Sequence, residues 1–262
     1  MIGFLIKKTF YDLWDNFLWV ALLNMGFIAF LAIPVFLPGL VPIPALSLLI
    51  LAAGILLCAM YLSAAALSLR AISDYGTFGF SDFFGNLIKG LPAGLLLGTL
   101  AILLYGVVSL AIPFYLSLKS LLGLFLAAVI FWAIVLGTIS LQYFFAIRAR
   151  LDTQLTKVFK KCFIIFFDNP GFSIFCLLVV IVALALSAVF VLLFPGPAGI
   201  LLFIDEALRL RLLKYDWLEA NPEPESPAKT RKRRIPWDAI LIEEREKTGT
   251  RSFRDFIFPW KG

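Results

Sequence analysis

The residues of this chain with the most chemical potential are two adjacent carboxylates, Asp205 and Glu206, followed by Arg209 and Arg211. They sit in an otherwise apolar stretch that opens at Pro195-Gly196-Pro197. Buried carboxylates can perform general acid–base chemistry or mark an ion pathway through a membrane. If this stretch is a membrane helix, Asp205 falls about 12 Å beyond Pro197, near the middle of a hydrocarbon core about 30 Å thick. An ionised group at that depth needs a partner or water. Arg209 follows Asp205 by four residues and Glu206 by three, so one guanidinium is within helical reach of either carboxylate. Arg209 and Arg211 can also extend toward the nearer interface.

Two uses fit this intramembrane charged cluster. It could line an ion or solute pathway facing the bundle interior. It could equally belong to a short, tilted last helix whose charges sit in a wet vestibule or grip the tail. Enzymatic use is the weakest reading. Adjacent helical residues point about 100° apart, a poor arrangement for flanking a substrate. The sequence has no histidine, and no metalloprotease, hydrolase or P-loop signature occurs. No catalytic residue, cofactor or metal is therefore expected. Cys58, Cys162 and Cys176 form no C-x-x-C pair and read as packing thiols.

The elements that must position these charges are membrane helices. Hydrophobic residues make up 61% of the chain and charged ones 15%, against about 45–50% and about 25% in soluble domains. Apolar runs of roughly 20 residues can cross a bilayer. Such runs are expected at about 17–37, 45–69, 91–117, 121–146 and 172–194. Lys7 and Lys8 precede a run too long for a signal-peptide core, so the first span should be retained. Residues 3–15, about 81–90 and about 153–167 show helical spacing of mixed apolar and charged positions, as in helices that lie at an interface.

The stretch after Pro197 decides between five and six spans. With six, Lys7, Lys8, Arg70, Lys89, the basic segment from Arg148 to Lys161 and everything from Arg209 onward share one face. That arrangement gathers all the Lys and Arg except Lys119, whereas five spans would put the basic C-terminus opposite. The positive-inside bias favours six, with both termini cytoplasmic. The expected fold is therefore an all-α membrane protein of six transmembrane helices arranged as three hairpins. Cytoplasmic amphipathic helices would lie between them, with a C-terminal cytoplasmic tail beyond. Each unit repeats an amphipathic helix, a span, a proline-bearing turn and a return ending in arginine at Arg70, Arg148 or Arg209. Gly94 and Gly98 form a G-x-x-x-G suited to close packing inside such a bundle.

The transmembrane domain is expected over 1–218, a Pro-rich and basic linker over 219–235, and an amphipathic docking tail over 236–262. Lys229, Arg231, Lys232, Arg233 and Arg234 suit contact with anionic lipid better than with nucleic acid. Trp237, Ile240 and Leu241 share a helical face above Glu243, Glu244 and Arg245, which are expected in solvent. Phe253, Phe256, Ile257 and Trp260 form a second apolar stripe. These faces should dock on the chain's own bundle, the bilayer surface or a partner.

An ordered set of residues resembles the YesL-like bacterial membrane proteins. It comprises Trp14-x-Asn16-x-x-Trp19, Pro34, Phe78-x-Phe80-x-x-Phe83-Phe84, Gln142 to Ala146, Phe163 to Pro170, and Leu213-Lys214-Tyr215. The likeness covers roughly residues 10–216 and leaves the tail unmatched. The family often has proline where this chain has Phe145, and the Asp205-Glu206 pair does not carry over from it. The resemblance implies a six-helix inner-membrane protein of unknown function, often encoded near carbohydrate ABC-type importers. The expectation is a non-enzymatic integral membrane accessory or scaffold protein in the bacterial inner membrane, with the lipid bilayer and such an importer as partners. The alternative is a small transporter or channel using Asp205, Glu206 and Arg209.

Overall fold

A computed structural model of the protein describes residues 1–221 and 235–249. The basic run Lys229, Arg231, Lys232, Arg233 and Arg234 and the stripe Phe253, Phe256, Ile257 and Trp260 lie outside the described residues. Among the described residues every regular element is a helix. Five helical segments are long and apolar enough to cross a membrane: Phe17–Leu40, Pro44–Ser73, Phe80–Ser117, Leu121–Arg150 and Pro170–Val189. The helix that carries Asp205 and Glu206 is not among them.

Helix α1 (Ile2–Asp15) is amphipathic in an unusual sense. Its buried stripe carries Leu5, Lys8, Thr9 and Asp12, at helical spacing, while Ile2 and Ile6 stay exposed. The polar side of this helix faces the protein. Helix α2 (Phe17–Leu40) turns back at residues 41–43 and runs along α3 (Pro44–Ser73). Pro34 of α2 faces Gly54 of α3, where a Cβ would lie 2.7 Å from the proline ring. Helix α4 (Phe80–Gly106) is a single element through Pro92, joining what the sequence divides into an amphipathic helix and a span. It lies on α3 through Gly90, Gly94 and Gly98, four residues apart. A Cβ on Gly94 would meet the Met60 Cα at 2.4 Å, so only glycine permits this approach.

A π-helical turn at Val107–Ala111 leads into α5 (Ile112–Ser117). The wide turn falls just before Pro113, which cannot donate to the preceding helical ladder. The Ser120 hydroxyl accepts from Gly123 N at 3.1 Å and caps α6 (Leu121–Leu141). A break at residues 142–143 separates α6 from α7 (Phe144–Arg150). Helix α8 (Leu155–Asp168) buries Val158, Cys162, Ile165 and Phe166. Burial pushes the Cys162 thiol up to about 12, as fits a packing residue. Helix α9 (Pro170–Val189) is followed by α10 (Gly196–Ala220), of which Ala198, Leu202, Ala207 and Leu208 are almost wholly inaccessible.

The tail forms two short helices, α11 (Trp237–Ile240) and α12 (Ile242–Thr248). Leu241, between them, is fully buried and joins the cluster formed by Tyr143, Phe144, Ile147 and Leu208, with Trp237 packed beside it. Ile240 is half-buried. Residues 235–249 thus pack on the chain's own helices.

Candidate functional site

Where α1, α3, α7, α10 and α12 meet, side chains of opposite charge form one continuous layer. The helical rotation of about 100° per residue sends the two α10 carboxylates to different neighbours. Asp205 faces α7, where Arg150 grips it with two nitrogens, Nε at 2.8 Å from Oδ1 and Nη2 on Oδ2. The same guanidinium donates to the Ser73 hydroxyl and to Asp74, both at 2.8 Å, so its fork spans three elements. Glu206 faces α1, accepting from the Thr9 hydroxyl and lying 3.5 Å from Lys8 Nζ. Lys8 itself pairs with Asp12, one turn along α1, and donates to the Ser73 carbonyl at 3.1 Å.

Arg209 does not serve either α10 carboxylate, contrary to what its spacing suggested. It donates to the Ser73 carbonyl, to Asp74 at 2.8 Å and to Glu244 of α12 at 2.7 Å. Glu244 is therefore buried, correcting its expected solvent position, and it also accepts from the Tyr75 hydroxyl at 2.9 Å. Tyr75 ends α3 in the left-handed region (φ 62°), with Gly76 N bonded back to Ala71 O at 2.7 Å. A non-glycine residue there stores of order 1–3 kcal/mol of strain. Its ring faces Lys8 Nζ at 4.2 Å and Arg209 at 5.2 Å.

Arg211 takes no part in this layer. It stacks on Phe172 at 3.6 Å and donates to Asn169 at 3.1 Å. With Lys214 and Tyr215, which donate to Asp168 at 3.0 and 2.7 Å, it ties the α8–α9 junction to α10. Asp74 and Asp168 share one electrostatic pattern. Burial acts to raise each carboxyl, but hydrogen bonds and charge from Arg150 and Arg209 at Asp74, and from Tyr215 and Lys214 at Asp168, leave both below the usual range.

The sequence singled out Asp205, Glu206, Arg209 and Arg211, and the structure brings the first three into one layer. Lys8, Thr9, Asp12, Ser73, Asp74, Tyr75, Arg150 and Glu244 complete it and were not singled out as its members. One signal was available for part of this set: Lys8 and Asp12 stand four apart on α1, an ion-pair spacing.

Two cavities accompany the layer. One, of about 310 Å³, is walled by Trp19, Gly26, Phe30, Tyr61, Phe80 and Phe84. The other, of about 240 Å³, is walled by Phe10, Leu13, Val179, Leu186, Pro195 and Phe203. Both are largely apolar; Thr9, which donates to Glu206, is the layer residue that lines the second. Chemically, the layer is an interlocked set of ion pairs. Asp205, Glu206 and Glu244 are engaged by cations and hydroxyls of other elements. Compared with family models, curated proteins and solved structures, the chain matches none of them.

Proposed function

We propose that the protein is a non-enzymatic integral-membrane scaffold or accessory subunit in the bacterial cytoplasmic membrane, with both termini on the cytoplasmic side. The observation that carries this reading is the closure of the charged layer on itself. Asp205 and Glu206, the groups best suited to chemistry or ion passage, are buried and held by Arg150, Lys8 and Thr9. Charges arranged in this way fasten five helices to one another.

The orientation draws support from two sources. The bias of Lys and Arg toward one face predicts cytoplasmic termini. The contact of α1 with the tail, through Lys7 Nζ and Gly249 O at 3.2 Å, is compatible with an even number of passages between them. The sequence likeness to YesL-like proteins suggests a carbohydrate ABC-type importer as the partner.

The test is gentle detergent extraction at native expression level, followed by mass spectrometry of the co-purifying proteins. Recovery of importer permease subunits, with reduced solute uptake in a deletion strain, is the expected result. A protein recovered alone, with uptake unchanged by the deletion, would overturn the reading. The transport alternative makes a separate demand, that proteoliposome flux exist and fall with Asp205→Asn. The bidentate grip of Arg150 on Asp205 argues against it.

A further inference from the structure

We infer that α9 and α10 form a re-entrant hairpin, entering the membrane from the side of the termini and turning back within the hydrocarbon of that leaflet. Helix α9 has the length and composition to cross, yet both its ends are fixed to the same half of the bundle. Near its start, Ser173 accepts from Gln142 through its carbonyl at 3.0 Å and pairs with the Tyr143 hydroxyl at 3.1 Å. Tyr143 follows α6 by two residues and stands about 33 Å along the helix from Leu121, at the far turn. Just past its end, the ring of Phe194 packs 5.4 Å from that of Phe17, the first residue of α2.

Asn24 fixes the same turn. Its amide donates to the carbonyls of Leu193 and Pro195, both at 2.9 Å, and its oxygen accepts from Ala198 N at 2.9 Å. Asn24 lies about 10 Å along α2 from Phe17 and about 24 Å short of Leu40 at the far turn. The first turn of α10 also touches α1, a Cβ on Gly199 standing 3.3 Å from Leu13. A straight crossing would instead carry residues 190–195 to the level of residues 41–43 and Lys119.

The chemistry of the turn fits lipid and not water. Phe190-Val-Leu-Leu-Phe-Pro195 contains no polar side chain. Val189 and Val191 are each 74% exposed and Phe190 57%, so their surroundings must be apolar. In hydrocarbon, irregular backbone is tolerated only where its polar groups are satisfied internally. Asn24 does this for two carbonyls and one amide, and the Ser187 hydroxyl accepts from Gly196 N at 2.9 Å. The chain then crosses four times, through α2, α3, α4–α5 and α6–α7. Four passages keep both termini on one side just as the six read from the sequence would.

The test is cysteine labelling with a membrane-impermeant maleimide in sealed vesicles of both orientations. Lys119→Cys marks the far face and Ile242→Cys the tail face, and the native cysteines are buried. Val191→Cys is expected to lose labelling from either side while the full-length protein still melts cooperatively. A nitroxide on the same cysteine should collide with oxygen and be shielded from a nickel chelate. Val189→Cys provides the same readout should Val191→Cys fail to fold. Labelling of either cysteine from the far face at the rate of Lys119→Cys would overturn the inference, as would free access of the nickel chelate.

Discussion

At Arg150 a single side chain holds Asp205, Asp74 and Ser73, and of these Asp205 and Ser73 are too buried for water to replace it. Removing one partner of such a pair leaves an uncompensated charge at a cost of about 3–5 kcal/mol. Arg150→Ala should therefore lower the thermal midpoint in detergent sharply. Arg150→Met combined with Asp205→Leu should recover much of that loss. A double variant no better than the single one would contradict the pairing. Acid should act through Asp74 and Asp168. Their folded values lie below the ordinary 3.8, so the stability they contribute is present above that value and is lost as pH falls through the lower folded ones. Asp74→Asn should flatten this acid limb in a pH series of melts. The sequence made Asp205 and Glu206 conspicuous but hid their partners, which lie 55 and 198 residues away. Local spacing pointed to Arg209, whose guanidinium instead reaches Asp74 and Glu244 on elements the helix alone cannot reveal.

Between elements, α3 and α4 approach closely at Gly94. The atom a new Cβ would meet is backbone, so Gly94→Ala should destabilise by about 1–3 kcal/mol. Gly137 has nothing within 4 Å of such a Cβ, and Gly137→Ala should be neutral or stabilise by up to about 1 kcal/mol. Equal effects in a denaturation series would refute this account of the interface. Tail docking depends on Leu241 and on the Glu244 pair with Arg209. Leu241→Asp should make residues 235–249 an early trypsin target, with the transmembrane helices left intact. The apolar runs and the Gly94–Gly98 spacing were legible because burial in lipid writes itself into composition. The burial of Glu244 was not legible, since a glutamate among charged neighbours reads as solvated until Tyr75 and Arg209 are brought beside it.

Across the whole molecule, the polar junctions gather at one end. The buried stripe of α1, the ends of α3 and α7, the charged middle of α10 and the docked tail share a single ionic layer. The layer holds the first and last described helices against each other, so they should share one face of the membrane whichever number of passages separates them. The direct measurement is accessibility of Ile2→Cys and Ile242→Cys, both exposed positions, to an impermeant maleimide in sealed vesicles of known orientation. Both should label in inverted vesicles and neither in right-side-out ones. Labelling of the two cysteines from opposite faces would contradict the shared layer and with it the account of how this chain is held together.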